Sequence, residues 1–508
     1  MGRTRQAARN IAFGYVGQMA TAIMSFILRT IFIMRLSEQL LGINSLYSNV
    51  LSILNMAELG IGTALNFSLY GPVARGEKEK IKSYMQLYRK AYHVIALVVA
   101  GIGIALIPFL DHLVKNPGNI TKQDMILYYL IFLFNTVSSY FVAYKYSLIN
   151  AEQKNYIQTN INTITKIAVV FCQIIVVLTT GNFYLFLITD AVIQLIQKIF
   201  VSRYLDSLYP YLREKNIEPL SKEESDTVWT KTKALVFHKV GDVARLQTDA
   251  LIISSFIEVA MAGVVDNYNM IVSTVSNFVN IIFNSVISGF GNLIATESRE
   301  KQYEMFKVYR FFASWVYGFS AVGFMVLLTP LIRVWLGDGW ILAPAAVYCF
   351  LTDYYFKGDR IVLSNFKTAA GVFEQDKYLA IIQGAVNLVI SITLVQTPLG
   401  ITGVYIGTVV SGLIANITKP IIIYRACFDM NAGKYFVDTL KYLCSMVAVL
   451  GICLFISGSV LSNLNLGTVV LMAVIITVIF NGTYFILYGR TQEFRYLRGK
   501  ISERFIKR

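Results

Sequence analysis

Charged side chains inside long apolar segments are the residues of this sequence best placed to do chemistry. Arg29, Glu58 and Lys166 each lie within an otherwise apolar stretch. A charge at the centre of a bilayer costs roughly 2.5–3.5 kcal/mol on insertion scales, so it is retained where it faces a protein interior or a watery cavity. We therefore interpret these three residues as candidate substrate-binding groups.

Later apolar stretches contain two further charged groups, which are Arg245 with Asp249, and Asp353 with Lys357 and Arg360. Residues three or four positions apart share one face of a helix. Each group could therefore line a binding cavity, or its members could pair with one another as structural ions. The sequence does not decide between these interpretations. We add four of these residues to the candidate substrate-binding residues, namely Arg245, Asp249, Lys357 and Arg360.

Asparagines accompany these charges at helical spacing. Asn55 lies on one face with Glu58, and Asn277, Asn280 and Asn284 share a face of a later segment. Amide groups supply neutral donors and acceptors, which suit sugar hydroxyls. The alternative is that they hydrogen-bond between helices.

Cations and amides together favour an anionic ligand that also carries sugars, such as a glycosylated phosphate or pyrophosphate. No G-x-x-x-x-G-K-[ST] motif for a nucleotide occurs, so any driving force is expected from an H⁺ or Na⁺ gradient. Glu58, Asp249 and Asp353 are the candidate ion carriers. We predict no cofactor and no metal site, because the three histidines are scattered along the chain.

The elements that must position these residues are membrane-spanning helices. The 508 residues are 56% hydrophobic and only 15% charged, with a mean hydropathy of +0.57, whereas average soluble chains are about 25% charged. A spanning helix needs roughly 20 apolar residues. About fourteen such stretches occur, near 11–34, 41–70, 91–114, 124–149, 158–180, 183–203, 234–257, 262–295, 308–330, 342–367, 379–396, 402–424, 441–459 and 467–488.

The net charge of +15 is explained by topology rather than by nucleic-acid binding. With the N-terminus inside, basic residues favour the inner segments by about eight to one, and the outer segments hold only Arg35, Lys115, Lys122 and Arg333. Positive charge accumulates on the cytoplasmic side of membrane proteins. We therefore predict a multi-pass protein of the cell membrane with both termini in the cytoplasm.

An internal repeat divides the chain. LGINSLYSN around Gly42 and AGVVDNYNM around Gly263 match at an offset of 221, and polar residues recur at corresponding depths. We predict two six-helix lobes that are parallel repeats, followed by two C-terminal helices. The predicted boundaries are an N-lobe at 1–203, a cytoplasmic linker at 204–233, a C-lobe at 234–424, helices 13 and 14 at 425–488, and a basic tail at 489–508.

Several of these stretches resemble the polysaccharide flippases of Gram-positive bacteria. The resemblance is carried by LRTIFIMRLSEQLLGINSLYSN and the residues after it, by HKVGDVARLQTDALIISSF, VVDNYNMI and SGFGNLIA, and by GITGVYIGTVVSGLIANITKP, and it runs in order along nearly the whole chain. These proteins belong to the multidrug/oligosaccharidyl-lipid/polysaccharide exporter superfamily.

The resemblance implies an exporter that works by alternating access between two lobes. The implied substrate is a polyprenyl-pyrophosphate-linked oligosaccharide repeat unit for capsular or exopolysaccharide synthesis, and the implied substrate region is Arg29 with the stretch around Arg245 and Asp249. It also implies a monomer that works with the polymerase and glycosyltransferases of its pathway.

Three alternatives remain at this point. The substrate could be another glycolipid, namely a peptidoglycan precursor or a teichoic acid. A multidrug exporter of the same superfamily would carry organic cations and should have an acidic cavity. A membrane-embedded enzyme acting on the same carrier lipid would need catalytic groups on a large outer loop, and the outer loops here are short, so we predict that the protein is not an enzyme.

Overall fold

The computed structural model describes residues 3–55, 58, 68–152, 154–214, 217–223, 225–226, 228, 247–284, 286–372, 374–376 and 378–506. Throughout these residues the secondary structure is helical, without a strand. Ten of the described helices are long and apolar enough to cross a membrane. The prediction of an all-α polytopic membrane protein is confirmed.

The chain forms two compact units, Met1–Gly263 and Val264–Arg508. The helices of unit 1 include α1 (Arg3–Arg35), α2 (Glu38–Leu54), α3 (Lys78–Ala105), α4 (Lys122–Ala151), α5 (Asn155–Thr180), α6 (Phe183–Leu208) and α7 (Thr248–Phe256). Within this unit α3 packs on α4, α4 and α5 pack on α6, and α5 packs on α1.

Unit 2 begins within α8 (Val259–Asn284). It continues with α9 (Ile287–Thr296), α10 (Arg299–Leu336), α11 (Pro344–Asp359), α12 (Ile361–Ala370), α13 (Leu379–Val395), α14 (Ile401–Ile423), α15 (Gly433–Val460), α16 (Leu466–Tyr488) and α17 (Gln492–Ile506). The long helix α10 packs on α11, α15 and α16, so the last two spanning helices attach to the unit through it.

Four predicted spans coincide with shorter helices. The span 41–70 begins with α2, the described part of 234–257 is α7, and 379–396 is α13. The span 342–367 is broken at Arg360, where the backbone leaves α11 before α12 begins. The predicted span 262–295, outside these four, comprises α8 and α9, with residue 285 outside the described part of the chain. A run of apolar residues predicts the span, but it does not reveal the break at Arg360.

Helix ends follow local sequence. Thr121 caps α4 through a reciprocal capping box with Asp124, and Asn465 does the same for α16 with Thr468. At the other end of α5, Gly181 adopts a left-handed conformation with φ of 57°, which glycine accepts without a Cβ penalty. Capping residues in the sequence therefore determine where these helices begin and end.

The two glycines that the repeat aligns lie against each other in unit 1. A Cβ on Gly42 would lie 1.9 Å from the carbonyl oxygen of Val259, and one on Gly263 would lie 2.9 Å from the backbone nitrogen of Gly42. The backbones of α2 and α8 therefore approach as closely as two helices can when the crossing residues have no side chain.

The described half of the predicted seventh span belongs to unit 1. The Ser254 hydroxyl donates to the Leu113 carbonyl at 2.6 Å, and the Lys115 ammonium donates to the Phe256 carbonyl at 2.7 Å. These bonds and the packing of α7 on α2 explain why the compact unit extends to Gly263. The predicted boundaries at 203 and 234 mark the linker between two sets of six spans, and they stay a prediction.

Candidate functional site: intramembrane polar clusters

Unit 1 contains a cluster of two carbonyl-bearing side chains and two tyrosines, Asn55, Glu58, Tyr92 and Tyr140, which we call the Glu58 cluster. The Tyr140 hydroxyl donates to Asn55 Oδ1 at 2.5 Å, and the Tyr92 hydroxyl donates to Glu58 Oε1 at 3.4 Å. Asn55 lies here because it ends α2, and Tyr92 and Tyr140 are buried on α3 and α4.

Glu58 is held loosely. Its carboxyl group is half-buried, and its one side-chain hydrogen bond in the described structure is the long contact with Tyr92. No cation of the described residues lies within ion-pair distance of it. Such a carboxyl group can accept a proton or a small cation without breaking an internal ion pair.

The other candidates of unit 1 are placed separately. Arg29 is half-buried on α1, Asp249 is half-buried in the first turn of α7, and Lys166 is exposed on α5. Arg29 and Asp249 each have at least one bonding or electrostatic partner. Arg245 lies outside the described residues, so its predicted role is not addressed by the structure.

In unit 2, Asp353 and Lys357 form an ion pair with an Nζ–Oδ2 distance of 2.5 Å across one helical turn. The Asp353 side chain is 5% exposed and that of Lys357 is 40% exposed. The sequence left open whether these residues pair with one another, and the structure shows that they do. The pairing leaves the ammonium of Lys357 accessible and the carboxylate of Asp353 covered.

Arg360 is buried at the break between α11 and α12. Its guanidinium donates to the Gly412 carbonyl at 3.1 Å and to Asn416 Oδ1. Asn416 in turn donates to the Phe356 carbonyl at 3.1 Å, so the broken helix is tied to α14. These contacts favour a structural role for Arg360, and contact with a substrate stays a prediction.

The three predicted asparagines of α8 have different surroundings. Asn277 and Asn284 are exposed, whereas Asn280 accepts a hydrogen bond of 2.7 Å from the Tyr317 hydroxyl on α10. The interpretation as interhelical hydrogen bonding therefore applies to Asn280. The exposed pair keeps its amide groups available for a ligand.

One buried cluster was missed by sequence reasoning. Arg310, Asp359, Tyr435 and Thr439, which we call the Arg310 cluster, join α10, α11 and α15. Arg310 donates to the Tyr435 carbonyl at 2.8 Å and to the Thr439 hydroxyl at 2.5 Å. Its guanidinium carbon lies 3.5 Å from the centre of the Tyr435 ring.

Asp359 completes the Arg310 cluster. Its Oδ2 accepts from the Tyr435 and Thr439 hydroxyls at 3.0 Å each, and its Oδ1 lies 3.7 Å from Arg310 Nη2. Sequence reasoning placed Arg310 among the inner basic residues, although it lies within the predicted span 308–330. That position was the signal that could have identified it.

A second missed network lies on α4 and α6. The Lys198 ammonium donates to the carbonyl and side-chain oxygens of Asn135 at 2.7 Å each, and to the Ser138 hydroxyl at 2.8 Å. Asp190 accepts from Asn135 at 3.0 Å and from Gln194 at 2.9 Å. Asp190, Gln194 and Lys198 recur every four residues inside an apolar span, and this spacing was the overlooked signal.

The clusters suggest a division between structural and available charges. No group of three or more metal-binding side chains occurs in the part of the chain that the structure describes. Arg310, Arg360 and Lys198 each donate hydrogen bonds to internal oxygen acceptors, whereas Glu58, Lys166 and Lys357 retain accessible or weakly bonded groups. The second set can bind and release ions without dismantling the fold.

Comparison with known proteins shows the fold. No family model and no curated protein matches the sequence. The chain is similar to the lipid II flippase MurJ in an inward closed conformation, with a TM-score of 0.65 and 14% identity over 93% of this chain and 99% of that one.

Two MATE transporters are also similar. An inward-facing multidrug resistance MATE family transporter of the MOP superfamily has a TM-score of 0.63 and 14% identity over 83% of this chain and 95% of its own. The Vibrio cholerae MATE transporter VcmN in the bent form has a TM-score of 0.55 and 14% identity over 84% and 98%. The chain therefore has the polytopic fold that is common to a lipid flippase and to these MATE transporters.

Proposed function

We propose that this protein is a flippase that moves a polyprenyl-pyrophosphate-linked oligosaccharide from the cytoplasmic to the outer face of the cell membrane. Both termini lie in the cytoplasm in this proposal, and the product feeds capsular or exopolysaccharide synthesis. Translocation proceeds by alternating access and requires no covalent chemistry. The observation that carries the proposal is a fold shared over 93% of the chain with a lipid flippase, combined with cations retained inside apolar helices.

Each part of the substrate has a matching group on the chain. Arg29, Lys166 and Arg245 would hold the pyrophosphate, because guanidinium and ammonium groups form strong charge-assisted bonds with phosphate oxygens. The exposed amides of Asn277 and Asn284 would bind sugar hydroxyls. The polyprenyl tail can stay in the hydrocarbon while the polar head crosses, which avoids the transfer cost of the tail.

Glu58 is the proposed ion carrier. Its carboxyl group is half-buried and, within the part of the chain that the structure describes, accepts one long hydrogen bond, from Tyr92. Binding of H⁺ or Na⁺ removes the cost of an uncompensated charge inside the membrane. An ion gradient could therefore bias the conformational cycle through this residue, whereas Asp353 already has Lys357 as its counter-ion.

Two other substrates belong to the same proposal as alternatives. The similarity to MurJ favours a peptidoglycan precursor, because that structure is described as a lipid II flippase, and a teichoic acid precursor has the same phosphate chemistry. The similarity to MATE transporters favours a multidrug exporter. A cation exporter needs an acidic binding region, whereas the candidate residues here include Arg29, Lys166 and Arg245.

The test is deletion of the gene in its native host, followed by measurement of the membrane face that holds the lipid-linked repeat unit. Intact cells are treated with a membrane-impermeant lectin or glycosidase. We expect the intermediate to become shielded on the inside and to return outside when the wild-type protein is expressed again. The Arg29→Ala variant should fail to restore it, and Arg35→Ala, with an exposed arginine at the end of the same helix, should succeed.

Normal outward exposure of the repeat unit in the deletion strain would overturn the proposed substrate. Measuring lipid II and teichoic acid intermediates in the same cells would then identify which glycolipid accumulates. Accumulation of none of them, together with increased sensitivity to cationic drugs, would instead support the multidrug exporter.

A further inference from the structure

Unit 1 contains a cavity of about 690 Å³ between the beginning of α3 and the ends of α4 and α6. Leu212, Glu214 and Ile217, which follow α6 in the chain, cover part of it. We call it the linker-end cavity. None of its lining residues belongs to the candidate substrate site.

The α3 wall of the linker-end cavity is cationic. Lys82, Gln86, Arg89 and His93 line it, and their spacings of four, three and four place them on one helical face. Lys145 of α4 contributes a further ammonium, and Tyr144 contributes a hydroxyl. In the sequence analysis, Lys82 and Arg89 counted only toward the positive charge of the inner segments.

Two of the cations already have carboxylate partners. Lys82 Nζ lies 2.6 Å from Glu79 and 2.6 Å from Glu214, and Lys145 Nζ lies 2.6 Å from Asp206. Arg89 is exposed and has no carboxylate within ion-pair distance among the described residues. Within the described residues, the cavity therefore has a guanidinium without a carboxylate partner beside a half-buried imidazole.

The depth of Arg89 indicates which anion it meets. The polar start of α3 ends near Arg89, and the apolar span begins at about residue 91. Residues at this boundary lie at the level of lipid headgroups, where anionic lipids attract basic side chains. A guanidinium with nearby ammonium, imidazole and hydroxyl donors matches the oxygens of a phosphate ester.

We propose that the linker-end cavity binds the phosphate of an anionic lipid headgroup, with Arg89 as the principal contact and Lys82, Lys145 and His93 around it. Glu214 forms an ion pair with Lys82 and competes with the phosphate for that ammonium group. Two groups of the linker after α6 bind α3: the Glu214 carboxylate contacts Lys82, and the Glu218 carbonyl accepts a hydrogen bond of 2.5 Å from Ser83. Because the phosphate competes with Glu214, the linker responds to binding of the ligand.

The test measures lipid binding to the purified full-length protein by native mass spectrometry, with phosphatidylglycerol and phosphatidylcholine as probes. Wild type should bind phosphatidylglycerol more tightly. Arg89→Gln should weaken that binding about tenfold, as expected for the loss of one charge-assisted contact. Glu214→Gln should strengthen it, because the competing carboxylate is removed.

Lys90→Gln is the matched control, because Lys90 is an exposed neighbour on α3 that does not line the cavity. It should change the affinity less than about twofold, as a rim charge does. Glycerol phosphate is added as a soluble probe, and displacement of the lipid by it would identify a free phosphate ester as the occupant of the same site. Equal losses in Arg89→Gln and Lys90→Gln, or an unchanged affinity in Glu214→Gln, would overturn the proposal.

Discussion

The Glu58 cluster of unit 1 and the Arg310 cluster of unit 2 differ in how many internal partners surround the intramembrane charge. Arg310 is 3% exposed, and two oxygen acceptors, an aromatic face and Asp359 surround it. Glu58 is half-buried, and among the described residues its side chain has a single long hydrogen bond. Burial inside a helix bundle is common to both, so the number of internal partners distinguishes a charge that holds the fold from one that is available to a ligand.

Loss of Arg310 gives the largest expected effect on stability. Arg310→Leu leaves Asp359 buried without its cation, which costs about 3–5 kcal/mol. Thermal or denaturant unfolding of the purified protein in detergent measures this. Arg299→Leu, at an exposed position of the same helix, should change stability by less than about 0.5 kcal/mol.

The double variant Arg310→Leu with Asp359→Leu sharpens this prediction. Removing both charges should recover much of the lost stability, because no uncompensated carboxylate remains. A double variant as unstable as the single one would show that shape, rather than charge pairing, holds α10 to α11.

Removal of Asn416, one of the two oxygen acceptors of Arg360, should have the next largest effect on stability. Asn416→Leu deprives the guanidinium of one oxygen and the Phe356 carbonyl of its donor, with an expected loss of about 1.5–3 kcal/mol. Asn277→Leu is the control, since Asn277 is exposed on α8. Equal unfolding midpoints for the two variants would contradict a structural role for Arg360.

Within the Glu58 cluster, the two tyrosines should differ. Tyr140→Phe removes the 2.5 Å bond to Asn55 and should lower stability by about 0.5–1.5 kcal/mol. Tyr92→Phe removes a contact of 3.4 Å and should cost less, since hydrogen bonds weaken with length. The same unfolding measurement on both variants checks this, and a larger loss for Tyr92→Phe would show that Glu58 is held more firmly than its geometry indicates.

Glu58→Gln should give the smallest change in stability, within about 0.5 kcal/mol, but it should abolish the response of transport to an ion gradient. The measurement is the transport rate with and without imposed H⁺ and Na⁺ gradients. Glu38→Gln, at the exposed start of α2, should keep the wild-type response. A Glu58→Gln variant that still responds to both gradients would exclude Glu58 as the ion carrier.

The positions of the spans follow directly from hydropathy, because a bilayer imposes one minimum length on every crossing helix. The break at Arg360 does not follow from hydropathy, since apolar residues on both sides of residues 357–360 keep the mean hydropathy of the span high. The repeat aligns Gly42 with Gly263 but does not predict their contact, which depends on tertiary packing.

Sequence spacing predicted only those contacts of the candidate site that lie within one helix. Spacing along one helix predicts pairs such as Asp353 with Lys357. It does not predict partners on other helices, so the sequence could not separate Arg360, which binds α14, from Lys166, which is exposed. The Arg310 cluster was missed because its members come from three helices far apart in the chain.

The most direct test of the proposed flippase uses proteoliposomes that contain the purified protein and a fluorescent polyprenyl-pyrophosphate-linked oligosaccharide. An impermeant quencher then reports the fraction of substrate on the outer leaflet over time. The account predicts rapid exchange between leaflets with wild type and Arg35→Ala, and little exchange above protein-free vesicles with Arg29→Ala. Exchange at the protein-free rate with wild type under both H⁺ and Na⁺ gradients would contradict it.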